Sequence, residues 1–277
     1  MEYEGQICRP PMERSSYMLP VAVGCSYNRC TFCTLFKHLR YRPLPIEQVE
    51  QELKRVSAAG GNPVQIFLGD GNALGMETDH LLHILELIHR YFPGCRMVNM
   101  DATVTNISQK SDEELRLLYD QGVRRLYLGI ESGLDDVLSF TKKDHNLQQA
   151  YCQIERMKNA GMIFNAHIMT GIAGVGRGTE NAQQTALFFN RTQPERIINF
   201  SLFLNRRAPL FRDYQAGRFT PASELENLME DRLLVSLLQV PGLHYDGMHD
   251  MLKVRVRGTL PQDREKMLKK FDEAISH

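Results

Sequence analysis

Six apolar, β-branched runs at 18–23, 64–68, 96–102, 125–130, 165–169 and 196–204 alternate with stretches of helical periodicity. Ile46, Val49, Leu53 and Val56 share one helix face, as do Leu81, Leu82, Ile84, Leu85 and Ile88, and later Leu147, Ala150, Tyr151, Ile154 and Met157. Ser111 opens Ser-Asp-Glu-Glu ahead of Leu115, which is the pattern of a helix N-cap with acids in the first turn. Gly161 stands where the helix after Leu147 needs a left-handed cap. Strand and helix units that repeat every ~30–40 residues demand a parallel sheet with right-handed crossovers. The expected fold is α/β, a partial (β/α)6 barrel of parallel strands with a short C-terminal α/β extension. The barrel takes residues 1–208. Residues 209–277 form the extension, with a helix over 221–238, a short strand over 253–257 and a final helix from Pro261.

In parallel α/β sheets, ligands gather at the carboxyl ends of the strands. Here the first run enters a loop with three cysteines, Cys25, Cys30 and Cys33. The second ends in Gly69-Asp70-Gly71-Asn72 and the third in Asp101-Ala102-Thr103. The fourth ends in Gly129-Ile130-Glu131-Ser132-Gly133 and the fifth in Gly171-Ile172-Ala173-Gly174. Glycine after a parallel strand is common. The joint appearance of these turns around a cysteine loop is not.

Clustered cysteines in a long chain read as metal or redox ligands before disulfides. Three thiolates on one loop can hold an iron–sulfur cluster and leave one iron open to an outside molecule. Zinc is the competing reading, because Cys30-x2-Cys33-x4-His38 matches most of a zinc knuckle. Free thiols are the third. Cys8, Cys95 and Cys152 are single and widely spaced, as small, partly buried hydrophobes are.

The loop Gly24-Cys25-Ser26-Tyr27-Asn28-Arg29-Cys30-Thr31-Phe32-Cys33 resembles the radical S-adenosylmethionine superfamily, in a small stand-alone subgroup with Cys-x4-Cys-x2-Cys spacing. The usual spacing in that superfamily is one residue shorter. The resemblance runs from about Arg9 to Asp263 and is distantly similar to the coproporphyrinogen-oxidase-like and Elongator-like members. It implies that Cys25, Cys30 and Cys33 bind a [4Fe–4S] cluster whose open iron chelates S-adenosylmethionine. Phe32 would pack near the adenine. Gly69, Asp70, Gly71 and Asn72 would receive the methionine amino group, with Asp101 on the same rim. Glu131 and Ser132 would contact the ribose or the methionyl end, and Gly171 and Gly174 would border the adenine.

The activity so implied is reductive cleavage of S-adenosylmethionine to a 5′-deoxyadenosyl radical, which abstracts hydrogen from substrate. A low-potential donor such as flavodoxin or ferredoxin would supply the electron. Whether the net reaction is that of an oxidoreductase, a transferase or a lyase stays open. No second cysteine set appears, which disfavours peptide-maturing and methylthio-transferring members, and Leu35 stands where coproporphyrinogen-oxidising relatives carry a fourth cysteine. No cobalamin-binding domain is attached. A small-molecule substrate is therefore expected, with His249 as the candidate polar group facing it. Lys plus Arg equals Asp plus Glu at 33 each, so no global field draws the chain to nucleic acid or anionic membrane. No apolar run is long enough to span a bilayer and the N-terminus is acidic and polar, so a cytoplasmic protein is expected. The alternative is a non-catalytic metal module, either an iron–sulfur electron carrier or a zinc-knuckle-like binding protein.

Overall fold

A computed structural model of the chain describes Glu4, residues 8–247 and residues 254–276. Its strands are β1 (Tyr17–Pro20), β2 (Ala22–Val23), β3 (Arg42–Pro43), β4 (Gln65–Gly69) and β5 (Met97–Ala102), followed by β6 (Val123–Glu131), β7 (Ile163–Thr170), β8 (Arg196–Ser201), β9 (Leu243–Gly247) and β10 (Val256–Leu260). Eight of them make one sheet in the order β1-β4-β5-β6-β7-β8-β9-β10, while β2 and β3 form a separate antiparallel pair. Among the described residues β1 and β10 are not paired with each other. The α/β class and its parallel strands are as the sequence leads one to expect. Among the described residues, no helix is long and apolar enough to cross a membrane.

By contacts, the chain divides into two compact units. The first takes the chain up to Asn28, Leu35–Leu128 and Glu155–Ile163. The second takes Arg29–Thr34, Gly129–Ile154 and the chain from Phe164 onward.

In the first unit β1, β4, β5 and β6 pair in parallel, with Leu19 opposite Leu68 and Met100 opposite Leu126. The single run expected over 18–23 is split at Val21. The Val21 N–H donates to the Gly69 carbonyl, and the chain then leaves the main sheet to pair Ala22 with Pro43 and Val23 with Arg42. Pro20, with no N–H, is accommodated because β1 is an edge strand of the sheet. The helix Ile46–Ala58 buries Val49 and Leu53, and the helix Thr78–Tyr91 buries Leu81, Ile84, Leu85 and Ile88, following the stripes read from the sequence. The helix Asp112–Asp120 opens on the expected cap. The Glu114 N–H donates to Ser111 Oγ at 3.1 Å, and the Ser111 N–H donates to Glu114 Oε2 at 2.7 Å.

In the second unit β7, β8 and β9 are parallel and β10 runs antiparallel to β9. The run expected over 196–204 stops at Ser201, and β9 is a strand that the sequence reading did not foresee. The C-terminal helices, Glu224–Leu237 and Arg264–Ile275, lie where helices were expected.

Two acids of the first of these helices are buried in the second unit. Asp231 accepts from Asn199 Nδ2 at 2.9 Å and from the Tyr245 hydroxyl, and burial beside that carboxylate drives the tyrosine well above its ordinary pKa. Glu230 accepts from Asn181 Nδ2 at 2.7 Å and from the Gly171 N–H at 3.1 Å. Burial nevertheless pushes its carboxyl up from the ordinary 4.5 to about 7, against the help of those two donors. Between these values the unfolded chain is ionised while the folded chain keeps its proton. Stability from this group is therefore full below pH 4.5, declines as pH rises, and is gone above about 7. The span corresponds to about 3 kcal/mol. Urea melts of the wild type at pH 5 and pH 8 should show this decline, and Glu230→Gln should flatten it. Equal slopes in the two proteins would remove Glu230 as its source.

Candidate functional site

The cysteine loop draws its residues from both units, and each part is braced within its own. In the first unit Cys25 follows β2, half-buried. The next residue, Ser26, is gripped by two asparagines. Its N–H donates to Asn72 Oδ1 at 2.8 Å, and its hydroxyl accepts from Asn72 Nδ2 at 2.8 Å and from Asn106 Nδ2 at 3.3 Å. Asn72 also donates to Asn106 Oδ1 at 2.6 Å. Asn106 in turn forms the capping box with Thr103 that starts the helix Val104–Ser108. The Gly69-Asp70-Gly71-Asn72 turn therefore acts on the cysteine loop itself. At Gly71, with φ +60°, a Cβ would fall 1.9 Å from the Gly24 carbonyl oxygen, so glycine is required for the turn to lie against the loop. Asp70 is buried and accepts from the Cys8 N–H at 3.0 Å. Asp101 is half-buried in β5, with Tyr127 as its register partner.

Past Cys25 the chain turns at Asn28, whose N–H donates to Cys25 Sγ at 3.4 Å. The Asn28 side chain holds the far side of the loop by donating to the Phe36 carbonyl at 2.7 Å. Tyr41 lies close enough to Cys25 for the two to interact. Burial, then Cys25 and Glu77, raises its hydroxyl to about 12, and that hydroxyl has no hydrogen-bond partner.

In the second unit Arg29–Thr34 carries Cys30 and Cys33, both half-buried. The segment is pinned by Thr31. Its N–H donates to the Thr141 carbonyl at 2.9 Å, and its own carbonyl accepts from the Leu210 N–H at 2.9 Å. Burial pushes the Cys30 thiol up to about 11, opposed by the Lys143 ammonium and assisted by Glu131, Cys33 and Asp144. Phe32 packs against the apolar cluster of Leu134, Val137 and Ile172. Glu131 is buried at the end of β6, in the left-handed region at φ +67°, with Lys143 Nζ 3.4 Å from its Oε1.

Ser132 is fully buried. Its hydroxyl donates to Asn181 Oδ1 and accepts from the Leu134 N–H at 3.1 Å, just ahead of the helix Asp135–Phe140. Gly171, at φ +80°, sits so close to Asn227 that a Cβ would meet its Oδ1 at 2.4 Å. Gly174 packs under the Thr220 carbonyl and Phe219. Lys142 and Lys143 look from sequence like two solvated cations. Only Lys142 is exposed, and Lys143 is inside. His249 lies outside the described residues.

The donor chemistry of the loop fits an iron–sulfur cluster. It offers three thiols, none of them in a disulfide, with an N–H on one sulfur and an ammonium beside another. Among the described residues, no three His, Cys, Asp or Glu side chains are already gathered as ligands for a single metal ion.

Comparison with known proteins gives a family. Residues 19–185 match the family model described as the radical SAM superfamily. The heme chaperone HemW of Bacillus subtilis (strain 168) is 25% identical over 223 residues, covering 78% of this chain and 58% of its own length. The chain thus spans less than two thirds of that relative. Among solved structures, the archaeal Elp3 of Methanocaldococcus infernus aligns with a TM-score of 0.60 at 14% identity, over 94% of this chain and 63% of that one. Coproporphyrinogen III oxidase (HemN) from Escherichia coli aligns with a TM-score of 0.55 at 12% identity, over 88% and 64%. At these identities the structures speak for the fold alone.

Proposed function

The chain belongs to the radical SAM superfamily, which works with a [4Fe–4S] cluster and S-adenosylmethionine, and on that premise we propose that it is an enzyme in which Cys25, Cys30 and Cys33 hold the cluster. When bound, the reduced cluster supplies the electron that splits S-adenosylmethionine into methionine and a 5′-deoxyadenosyl radical, which takes a hydrogen atom from a small-molecule substrate. The observation that carries this reading is the set of three cysteines on one loop, none in a disulfide, with Ser26 held by Asn72 and Asn106 and Thr31 held by Thr141.

The other residues divide by where the fold places them. Asp101 and Glu131 carry carboxylates at strand ends, where ribose hydroxyls or an ammonium group would be met. Gly69 and Asp70 line the turn that receives the methionyl end, and Gly171 and Gly174 admit the adenine beside Phe32. Asn72, Gly71 and Ser132 serve mainly by position, because their hydrogen bonds or close contacts are directed within the protein. Residues 1–208 form the portion that holds the cofactors. Residues 209–277 form an extension that brings substrate-facing groups, with His249 the candidate among them. A low-potential donor such as flavodoxin or ferredoxin supplies the electron.

One observation favours a second reading. The relative HemW is a heme chaperone by name, so a non-catalytic use of the same cofactors is the alternative. The two separate in one assay. Protein reconstituted anaerobically with iron and sulfide, then given dithionite and S-adenosylmethionine, is expected to release 5′-deoxyadenosine, while the iron-free protein releases none. A fully loaded protein that leaves S-adenosylmethionine intact, alone and in pools of candidate substrates, would overturn the enzymatic reading. Zinc without iron would overturn the cluster as well.

A further inference from the structure

We propose that Lys143 is a positioning residue for electron transfer, its buried ammonium group being a fixed charge, on the turn tied to the Cys30 segment, that raises the reduction potential of the cluster held there. The inference rests on the cluster site proposed above. Lys143 has a side chain only 7% exposed, with Nζ 3.4 Å from Glu131 Oε1 and 3.6 Å from Asp144 Oδ1. Asp144 is itself fully buried at its side chain and lies 3.0 Å from His145 Nδ1. Room for this group is made by Gly129, where a Cβ would fall 2.4 Å from Glu131 Oε1 and 3.1 Å from Lys143 Nζ.

The backbone ties the turn of Lys143 to the segment of Cys30. The turn that carries Lys143 is tied by its N–H to the Leu138 carbonyl at 2.8 Å, and the Thr141 carbonyl two residues earlier accepts the N–H of Thr31, the neighbour of Cys30. Among the charges acting on the Cys30 sulfur, Lys143 acts most strongly, with Glu131 and Asp144 opposed to it.

Burying an ammonium is costly, and two apolar side chains in its place would serve packing as well. Its placement beside a ligand sulfur has a direct electrostatic consequence. Each electron entering an iron–sulfur cluster adds one negative charge, so a fixed cation nearby favours the reduced state and a fixed anion disfavours it.

The test uses the full chain, reconstituted as wild type, Lys143→Met, Lys143→Arg and Glu131→Gln, without S-adenosylmethionine. Iron and sulfide content establish loading, and an EPR-monitored redox titration gives the midpoint. Lys143→Met is expected to shift the midpoint to more negative potential and Lys143→Arg to restore it towards wild type. Glu131→Gln should shift it the other way. Opposite shifts from the two partners of one ion pair are the mark of charge, since general loosening of the site moves both alike. Loaded variants whose midpoints coincide with wild type, or move in the same direction, would overturn the inference. Where Lys143→Met takes up no cluster, Glu131→Gln decides, and an unchanged midpoint there overturns it too. Wild-type protein that binds no iron overturns the cluster reading itself.

Discussion

Alanine at Cys25, Cys30 or Cys33 is expected to abolish both iron loading and 5′-deoxyadenosine formation, whereas Cys152→Ser leaves both at wild-type levels. Three protein sulfurs are all that the loop offers, and a cubane cluster that loses one has no spare thiolate to replace it. Even partners that only orient metal ligands change affinity or activity by roughly 10–100-fold when removed, so direct ligands should cost about two orders of magnitude or more. Cys152 is exposed on a helix and stands apart from the loop in sequence, so it serves as the control. His38→Ala separates iron from zinc. An iron–sulfur site on the three thiols keeps its iron when His38 is removed, and a knuckle built on Cys30, Cys33 and His38 does not keep its zinc. Iron and sulfide analysis with the visible spectrum reads out every variant. Full iron content in Cys30→Ala would sink the proposed ligand set.

How much of this was legible before any coordinates depends on whether the information is local. The strand–helix alternation is local. The stripes at Leu81 and Ile154 and the cap at Ser111 all appear where the periodicity puts them. β9 has no such signal. Leu-His-Tyr-Asp-Gly is a poor strand by propensity, and it is extended because it lies between β8 and β10, with Tyr245 opposite Ile197 on one side and Gly258 on the other.

The site divides in the same way. Cysteines spaced within nine residues announce themselves, but the residues that hold them do not. Asn72 reaches 46 residues back to Ser26, and Asn106 reaches 80. As single letters both read as turn formers. Lys143 beside Lys142 reads as a solvated pair. Only the fold turns one of the two inward, onto Glu131. A signal was available at Gly129 and Gly71, where glycine leaves space that a neighbouring group fills. Without the neighbour in view, that space could equally be assigned to a ligand.

Glu13→Ala should lower the stability of the protein by several kcal/mol, on the order of 3, because a buried hydrogen-bond network loses its central acceptor. Glu13 is 1% exposed, and its carboxylate takes four donors. Ser16, Gln65 at 2.8 Å, Asn99 at 2.9 Å and Tyr127 at 2.6 Å stand just before β1 and within β4, β5 and β6, so one side chain ties together four neighbouring strands of the first unit. All four donors are neutral, and the carboxylate is held by hydrogen bonds without a paired cation among them. Removing it takes the Glu13 acceptor from the buried Asn99 and Tyr127, at about 1–3 kcal/mol for each that finds no substitute, while Gln65 Nε2 keeps Ser16 Oγ at 2.8 Å. Glu13→Gln keeps the volume and one acceptor but turns an amide N–H₂ towards existing donors. Its loss should be smaller than that of alanine yet clearly measurable. Urea unfolding followed by circular dichroism gives both values. An alanine variant within about 0.5 kcal/mol of wild type, the range of ordinary surface substitutions, would mean that the carboxylate does not hold these strands together. The variant also separates fold from chemistry. Glu13 makes its bonds to β-strand side chains and not to the cysteine loop, so Glu13→Ala protein that remains folded should load iron as wild type does. That outcome would assign the residue to the sheet alone.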